Sequence, residues 1–303
     1  ILCFHSSVRT PQGGCSIELH AVALVLLSAA MHPLRDLGLK GIANPASAYL
    51  GVSIGWVFIA AVQTFLQGRS LILPPEAWWP AAASALGLTC YYYGTLAALQ
   101  RGHLSAYYPI IRSAPLAIIL FNSMFFGETY SALALLGVLM VVFSGLLIQK
   151  PSDRLFDDPI ALGFAVLAMV ASAVYSIADS VAMRHVEPSP FLFWVYLFVS
   201  LLLGLICLAD PRRSAQLRTR LFESWQGSWP RILTASLTSY ASYYLILLAF
   251  QLQADPAYVS AIRQASIPLS IILAAFVLRE QGSLQRLGWA ILLAIGIVII
   301  VFQ

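Results

Sequence analysis

The chain has 303 residues, of which 60% are hydrophobic and only 10% charged, with a formal net charge of +4. Soluble domains carry about 25% charged residues, so these figures exclude an ordinary water-soluble globular protein. The positive charge comes without a basic stripe interleaved with aromatics, which excludes a nucleic-acid surface.

Apolar runs of about 20 residues recur along the chain, the length a helix needs to cross hydrocarbon. Ten spans are expected, over residues 16–37, 46–66, 78–98, 104–126, 131–148, 159–183, 190–209, 230–252, 257–278 and 284–301. The fold class that follows is all-α integral membrane, with ten transmembrane helices. Most connections are short and punctuated by Pro, Gly, Asp or Ser, as helix ends prefer. Two are longer. Residues 149–158 carry Lys150, Asp153, Arg154, Asp157 and Asp158, and residues 210–229 carry Arg212, Arg213, Arg218 and Arg220 with room for a short surface helix. The residues before Ser16 are polar and lack the apolar core of a secretory signal. Cys3, Cys15, Cys90 and Cys207 lie far apart with no C-x-x-C pair, which points to neither a metal site nor a disulfide framework.

The chain writes one stretch twice. Residues 92–145 shifted by 151 positions fall without a gap on residues 243–296. Tyr92 and Tyr93 meet Tyr243 and Tyr244, Gln100 meets Gln251, Tyr107 meets Tyr258 and Arg112 meets Arg263. Phe125 meets Phe276, and Gly137 and Gly145 meet Gly288 and Gly296. Chance supplies matched Ala and Leu in so apolar a chain, but not matched Arg, Gln, Tyr and Gly at one offset. The earlier spans match more weakly at an offset of 143, where Ala30, His32 and Asp36 meet Ala173, Tyr175 and Asp179. Two five-span repeats follow, over 16–149 and 159–302. An odd number of spans per copy inverts the second copy in the membrane, the plan of many secondary transporters, whose site lies at the repeat interface near mid-membrane.

Eleven of the seventeen basic residues fall in the connections after the odd-numbered spans, and three on the other side. The positive-inside rule then places the odd-numbered connections in the cytoplasm and both termini outside.

Both copies place an arginine inside an apolar run, where an unpaired charge costs a few kcal/mol or more. Ser105, Tyr108, Arg112 and Pro115 share one helical stripe with Ile119 and Asn122, and Ser260, Arg263, Ser266 and Ser270 share another. Arg112 and Arg263 are candidate ligands of an anionic group, because the guanidinium fork suits carboxylate and phosphate. They are equally candidates for buried ion pairs with Asp36 or Asp179. Those two aspartates are candidate counter-ions, coupling sites or interfacial charges, and His32, before the helix-bending Pro33, is a candidate proton relay or a structural histidine. Tyr108, Tyr92, Tyr93, Tyr243 and Tyr244 are candidates for lining a substrate cavity, with interfacial anchoring as the alternative. Gly137, Gly145, Gly288 and Gly296 permit close packing of the fifth span against the tenth, or a homodimer contact.

No G-x-x-x-x-G-K-[ST] loop is present, so no nucleotide hydrolysis is expected. No H-E-x-x-H and no nucleophile elbow point to an enzyme, and no cofactor motif occurs. The stretch HPLRDLGLK at 32–40, Gly127–Glu128 and Arg279–Glu280, with the span count and repeat layout, resemble the drug/metabolite transporter superfamily, specifically EamA-type ten-helix carriers. The resemblance covers about residues 20–301. It implies export of amino acids or other metabolites, relatives of the family moving sugar phosphates or nucleotide sugars. The expected function is a secondary transporter of a small polar, anionic or zwitterionic metabolite by alternating access. A lipid translocator and a non-transporting scaffold or receptor are the alternatives. Its expected partners are a small-molecule substrate and membrane lipid, in a bacterial inner (plasma) membrane.

Overall fold

The computed structural model describes residues 18–39, 45–101, 104–149, 158–209, 211–269 and 284–303. Side chains of residues 35–38, 45–47, 99, 104–106, 149, 207–209, 211–226 and 284–287 lie outside the description, and with them those of Arg35, Asp36 and Ser105. Ser270 and Arg279–Glu280 lie outside the described residues altogether.

All regular structure among the described residues is helical. The helices are α1 (Leu19–Leu39), α2 (Pro45–Leu66), α3 (Pro75–Arg101), α4 (Leu104–Arg112), α5 (Ala114–Phe126) and α6 (Ala132–Gln149). They continue with α7 (Pro159–Ala182), α8 (Pro188–Ala209), α9 (Pro211–Gln251), α10 (Pro256–Ile262) and α11 (Leu284–Phe302). A 3₁₀ turn at Arg263–Ala265 follows α10. Five of the described stretches are each long and apolar enough to cross a membrane, namely Ala48–Leu66, Tyr107–Phe126, Pro159–Ala182, Pro188–Ile206 and Gly227–Gln251. Leu, Phe, Ile and Trp side chains are widely exposed on the helices' outer faces, as lipid permits and water would not. This is an all-α integral membrane protein.

Local chemistry explains where the helices start and stop. Asp158 and Asp255 each precede a proline and cap the next helix. The Asp158 carboxylate accepts from Ile160 N and Ala161 N at 2.9 and 3.0 Å, and that of Asp255 from Ala257 N and Tyr258 N at 2.8 and 3.3 Å. Each cap satisfies helix donors that would otherwise lack partners, and each proline occupies a position where its missing N–H costs nothing. Gly127, at φ 66°, closes α5 in the left-handed conformation that glycine adopts without steric cost.

Three features differ from the sequence expectation. The fourth span is not one helix but α4 and α5, interrupted at Ser113. The ninth tightens into the 3₁₀ turn just after α10. In place of a short surface helix in 210–229, α9 runs unbroken for 41 residues through Pro230.

The packing has a pattern. The neighbours α1 with α9, α9 with α2, α2 with α8, α8 with α3 and α3 with α7 form most of a ring. It closes through α4 and α5 on α7, α5 on α10, and α10 with its 3₁₀ turn on α1. Helices α6 and α11 pair outside it. Exchanging the first five spans for the last five turns α1–α9 into α7–α3 and α2–α9 into α8–α3. It leaves α2–α8 and α6–α11 unchanged.

Small residues set the spacing. A Cβ added at Gly94 of α3 would lie 2.9 Å from Phe164 O of α7. On the outer pair, a Cβ at Gly296 would lie 2.8 Å from Gly137 O. Serines add bonds between helices. Ser28 and Ser242 meet at 2.9 Å between α1 and α9, and Ser53 and Ser200 at 2.6 Å between α2 and α8.

Candidate functional site

The ring encloses a cavity of about 80 Å³. Among its lining residues are His32 of α1, Tyr92 of α3, Arg112 of α4, Asp179 of α7, Tyr243 of α9 and Arg263 after α10. One cavity therefore brings both intramembrane arginines together with an aspartate.

Each arginine sits at a helix break, and the breaks have a chemical cause. Proline has no N–H to return to the carbonyl four residues earlier. Pro115 so frees the carbonyl of Ile111, and Pro268 that of Gln264. The chain turns at Ser113, whose hydroxyl donates to Pro109 O at 3.0 Å. The carbonyl of Arg112 is taken up from the other half of the chain, by Gln264 Nε2 at 3.0 Å. Arg112 is the last residue of α4, and Arg263 directly follows α10. A cation at a helix C-terminus meets the negative end of the helix dipole, a contribution of about 0.3–1 kcal/mol, more where buried.

Further contacts hold the two guanidiniums. Arg112 Nη2 donates to Tyr108 Oη at 2.7 Å, with its Cζ 5.0 Å from the Tyr108 ring centre. Arg263 Cζ lies 5.6 Å from the Tyr243 ring centre. Both are cation–π arrangements, favourable by about 0.5–2 kcal/mol depending on desolvation. Asp179 is 1% exposed. It accepts from Ser84 Oγ of α3 at 2.6 Å and, through its other oxygen, from Tyr243 Oη of α9. Its described partners are thus hydroxyls, and no arginine lies within ion-pair distance of it among the described residues. The simple Arg–Asp179 pair weighed from sequence is not the arrangement found.

Aromatic rings form the cavity wall. The Trp56 ring lies 4.0 Å from that of Tyr196 and 5.5 Å from that of Tyr243, centre to centre, and its Nε1 donates to Ser239 Oγ at 2.9 Å. Tyr92 Oη meets Tyr196 Oη at 3.1 Å. Neither Trp56, Tyr196 nor Ser84 was among the sequence candidates, because none has a like partner at the repeat offset. Of the tyrosine candidates, Tyr92 and Tyr243 line the cavity. Tyr93 instead packs on Phe164 in a separate cleft, and Tyr244 stacks on Tyr240. Tyr108 reaches the cavity through Arg112.

On the side of the even-numbered connections, polar contacts tie the halves together. Arg69 and Glu187 form an ion pair at 2.5 Å, and Gln251 Nε2 donates to Glu187 Oε2 at 3.2 Å. Ser189 donates to Gln67 at 3.0 Å and Tyr240 to Gln63 at 2.7 Å.

The model of the EamA-like transporter family matches residues 159–302. Twenty-nine chains of solved structures match. One of them, a crystal structure, aligns with a TM-score of 0.72 at 16% identity, over 94% of this chain and 97% of its own. At that identity the likeness shows the fold alone. No curated protein matches. Over its second half, the chain is thus similar to the EamA-like transporter family.

Proposed function

We propose that the protein is a secondary transporter that moves a small polar, anionic or zwitterionic metabolite by alternating access. The carrying observation is that two helix breaks, one in each half, present Arg112 and Arg263 to one cavity inside the helix ring. Discontinuous helices around a mid-membrane site are a recurring transporter device. Among the described lining side chains are two guanidiniums and one buried carboxylate, and the guanidinium forks suit an anionic group. Asp179, with Tyr243 and Ser84 bound to it, is the counter-charge for the cationic end of a zwitterion. The aromatic wall accepts the apolar remainder. Residues 16–149 and 159–302 act as the two repeats, consistent with helix pairings that exchange between halves. The contacts around Glu187 form the seal on the even-numbered side. Helical spans suit an inner (plasma) membrane, since outer membranes favour barrels.

Transport by purified protein in liposomes tests this, with carboxylates, phosphates and zwitterions offered under an ion gradient and no ATP. A charge-assisted hydrogen bond contributes about 1.5–3 kcal/mol. Arg112→Gln or Arg263→Gln should therefore weaken substrate binding by roughly 10- to 100-fold in protein that still assembles. If the arginines serve only as buried ion pairs, each variant should instead be destabilised, and removal of the partner aspartate should restore stability. Absence of both flux and ligand stabilisation across the panel would refute the transporter reading.

A further inference from the structure

A second cleft, of about 220 Å³, lies beside the central cavity. It is bounded by the first residues of α2, the last turns of α3 and α8, and Phe164 near the start of α7, so it sits at the membrane face of the odd-numbered connections. Its walls are aromatic and aliphatic. Tyr93 packs on Phe164 with ring centres 5.8 Å apart, and Leu96 and Ile206 continue the surface. Tyr93 is 42% and Ile206 37% exposed, so the cleft is reached from outside the helix ring. Apart from tyrosine hydroxyls, its polar side chains are Gln100 and Arg101, which stand at one end where they finish α3. Arg101 lies with its Cζ 6.0 Å over the Phe164 ring, and no carboxylate is within ion-pair reach of it among the described residues.

We infer that this cleft binds one anionic lipid of the surrounding bilayer. The chemistry divides as such a lipid does. An exposed guanidinium at the interface suits a phosphate, to which it can present a planar fork of donors. Below it, an apolar trough within the hydrocarbon suits an acyl chain, whose neighbours there would be other chains. A soluble anion would gain nothing from the trough, and a neutral lipid nothing from Arg101. The inner end of the cleft shares Tyr49, Tyr92 and Leu203 with the central cavity. The Tyr49 and Tyr92 rings, 5.8 Å apart, form the partition between lipid and cavity. The inference does not depend on what the central cavity carries.

Native mass spectrometry of the full chain, released from bilayer discs of mixed phosphatidylcholine and phosphatidylglycerol, tests it. The wild type should retain one phosphatidylglycerol in at least fivefold preference over phosphatidylcholine. Arg101→Gln should bring that preference near one, Arg101→Lys should retain part of it, and Ala97→Trp, which fills the trough, should remove both lipids. Arg184→Gln, at an exposed cation on the opposite face, should change nothing. No preference in the wild type, or an unchanged preference in Arg101→Gln, would overturn the inference. A photoactivatable phosphatidylglycerol requires no variant: cross-links in the wild type should map to residues 93–101 of α3. Cross-links confined to other helices would refute the site.

Discussion

The glycines shared by α6 and α11 provide a test that turns on the sign of an effect. Gly288 and Gly296 lie two turns apart on one helix, and composition alone makes them equivalent. The structure separates them. A Cβ at Gly296 would lie 2.8 Å from Gly137 O, 2.9 Å from Val141 Cγ2 and 3.0 Å from Met140 Cβ, whereas one at Gly288 would meet nothing within 4 Å among the described residues. Alanine at either position gains the same helix propensity, up to about 1 kcal/mol, so that contribution cancels in the comparison. What remains is the cost of overpacking at Gly296. One of the crowded atoms there is a backbone oxygen, which cannot rotate away, and such insertions cost about 1–3 kcal/mol. Gly296→Ala should therefore be less stable than Gly288→Ala by about that amount. Gly137→Ala crowds the same contact from the other side, and the double variant should cost less than the sum. Reversible unfolding in mixed detergent micelles, followed by tryptophan fluorescence and circular dichroism, measures the difference. Equal effects at Gly288 and Gly296 would refute the packing, and would favour a contact outside the chain as the role of the glycine face.

Three other outcomes are expected. Burial raises the Asp255 carboxyl above its ordinary value, while its caps to Ala257 and Tyr258 and the Tyr130 hydroxyl oppose the rise. The folded state therefore holds that proton more tightly than the unfolded one, so the group's stabilising contribution is full below the ordinary carboxylate range and is lost as pH rises through its raised value. Asp255→Asn keeps the cap, and should be at least as stable as wild type at neutral pH and show a flatter pH profile of stability. The Arg69–Glu187 pair is partly exposed, 38% and 47%, and is worth about 0.2–1 kcal/mol. Glu187→Gln should raise labelling of a cysteine placed in the central cavity from the even-numbered side by up to about fivefold, and unchanged labelling would remove the seal. Finally, a cysteine at Ser214 in a variant lacking the four native cysteines should resist an impermeant thiol reagent in intact cells, because four arginines in the residues around it oppose translocation. Ready labelling would reverse the orientation.

Much of this molecule is legible in the sequence because lipid imposes length and period so strictly. Apolar runs of about 20 residues mark the spans, and the repeat at 151 positions singles out Arg112 and Arg263, which line one cavity. The breaks beside those arginines were harder to see. Both spans read as continuous runs of helical period despite their polar stripes, and Pro115 and Pro268 are the local signals of the lost hydrogen bonds beside the arginines. The paired tyrosines were partly resolvable by geometry. Adjacent helical residues point about 100° apart, so one of Tyr92 and Tyr93, and one of Tyr243 and Tyr244, could face inward. Which one does is set by packing on α7 and α9, which no local pattern encodes. The Gln264 contact to Arg112 O was invisible for a different reason. Gln264 occupies the position of Ser113 at the repeat offset, so it departs from the symmetry that guided the other assignments.

That asymmetry bears on how the site works. The two halves contribute equivalent arginines, but their surroundings differ. Arg112 bonds the hydroxyl of its own helix neighbour Tyr108, whereas Arg263 lies over the ring of Tyr243, whose hydroxyl is given to Asp179. Contacts therefore run from Arg263 through Tyr243 and Asp179 to Ser84, joining the ninth, eighth, sixth and third spans. In a medium of low dielectric, charges along such a line act strongly on one another. An anion bound at Arg263 would draw the guanidinium away from the Tyr243 ring and change the field at Asp179. It would thereby act on the α3–α7 and α1–α9 contacts, where helices of the two halves pack against each other. A ligand shifts an equilibrium between states only through contacts that differ between them. This line of side chains crosses from one half to the other, so a ligand at the proposed site would act on contacts between the halves.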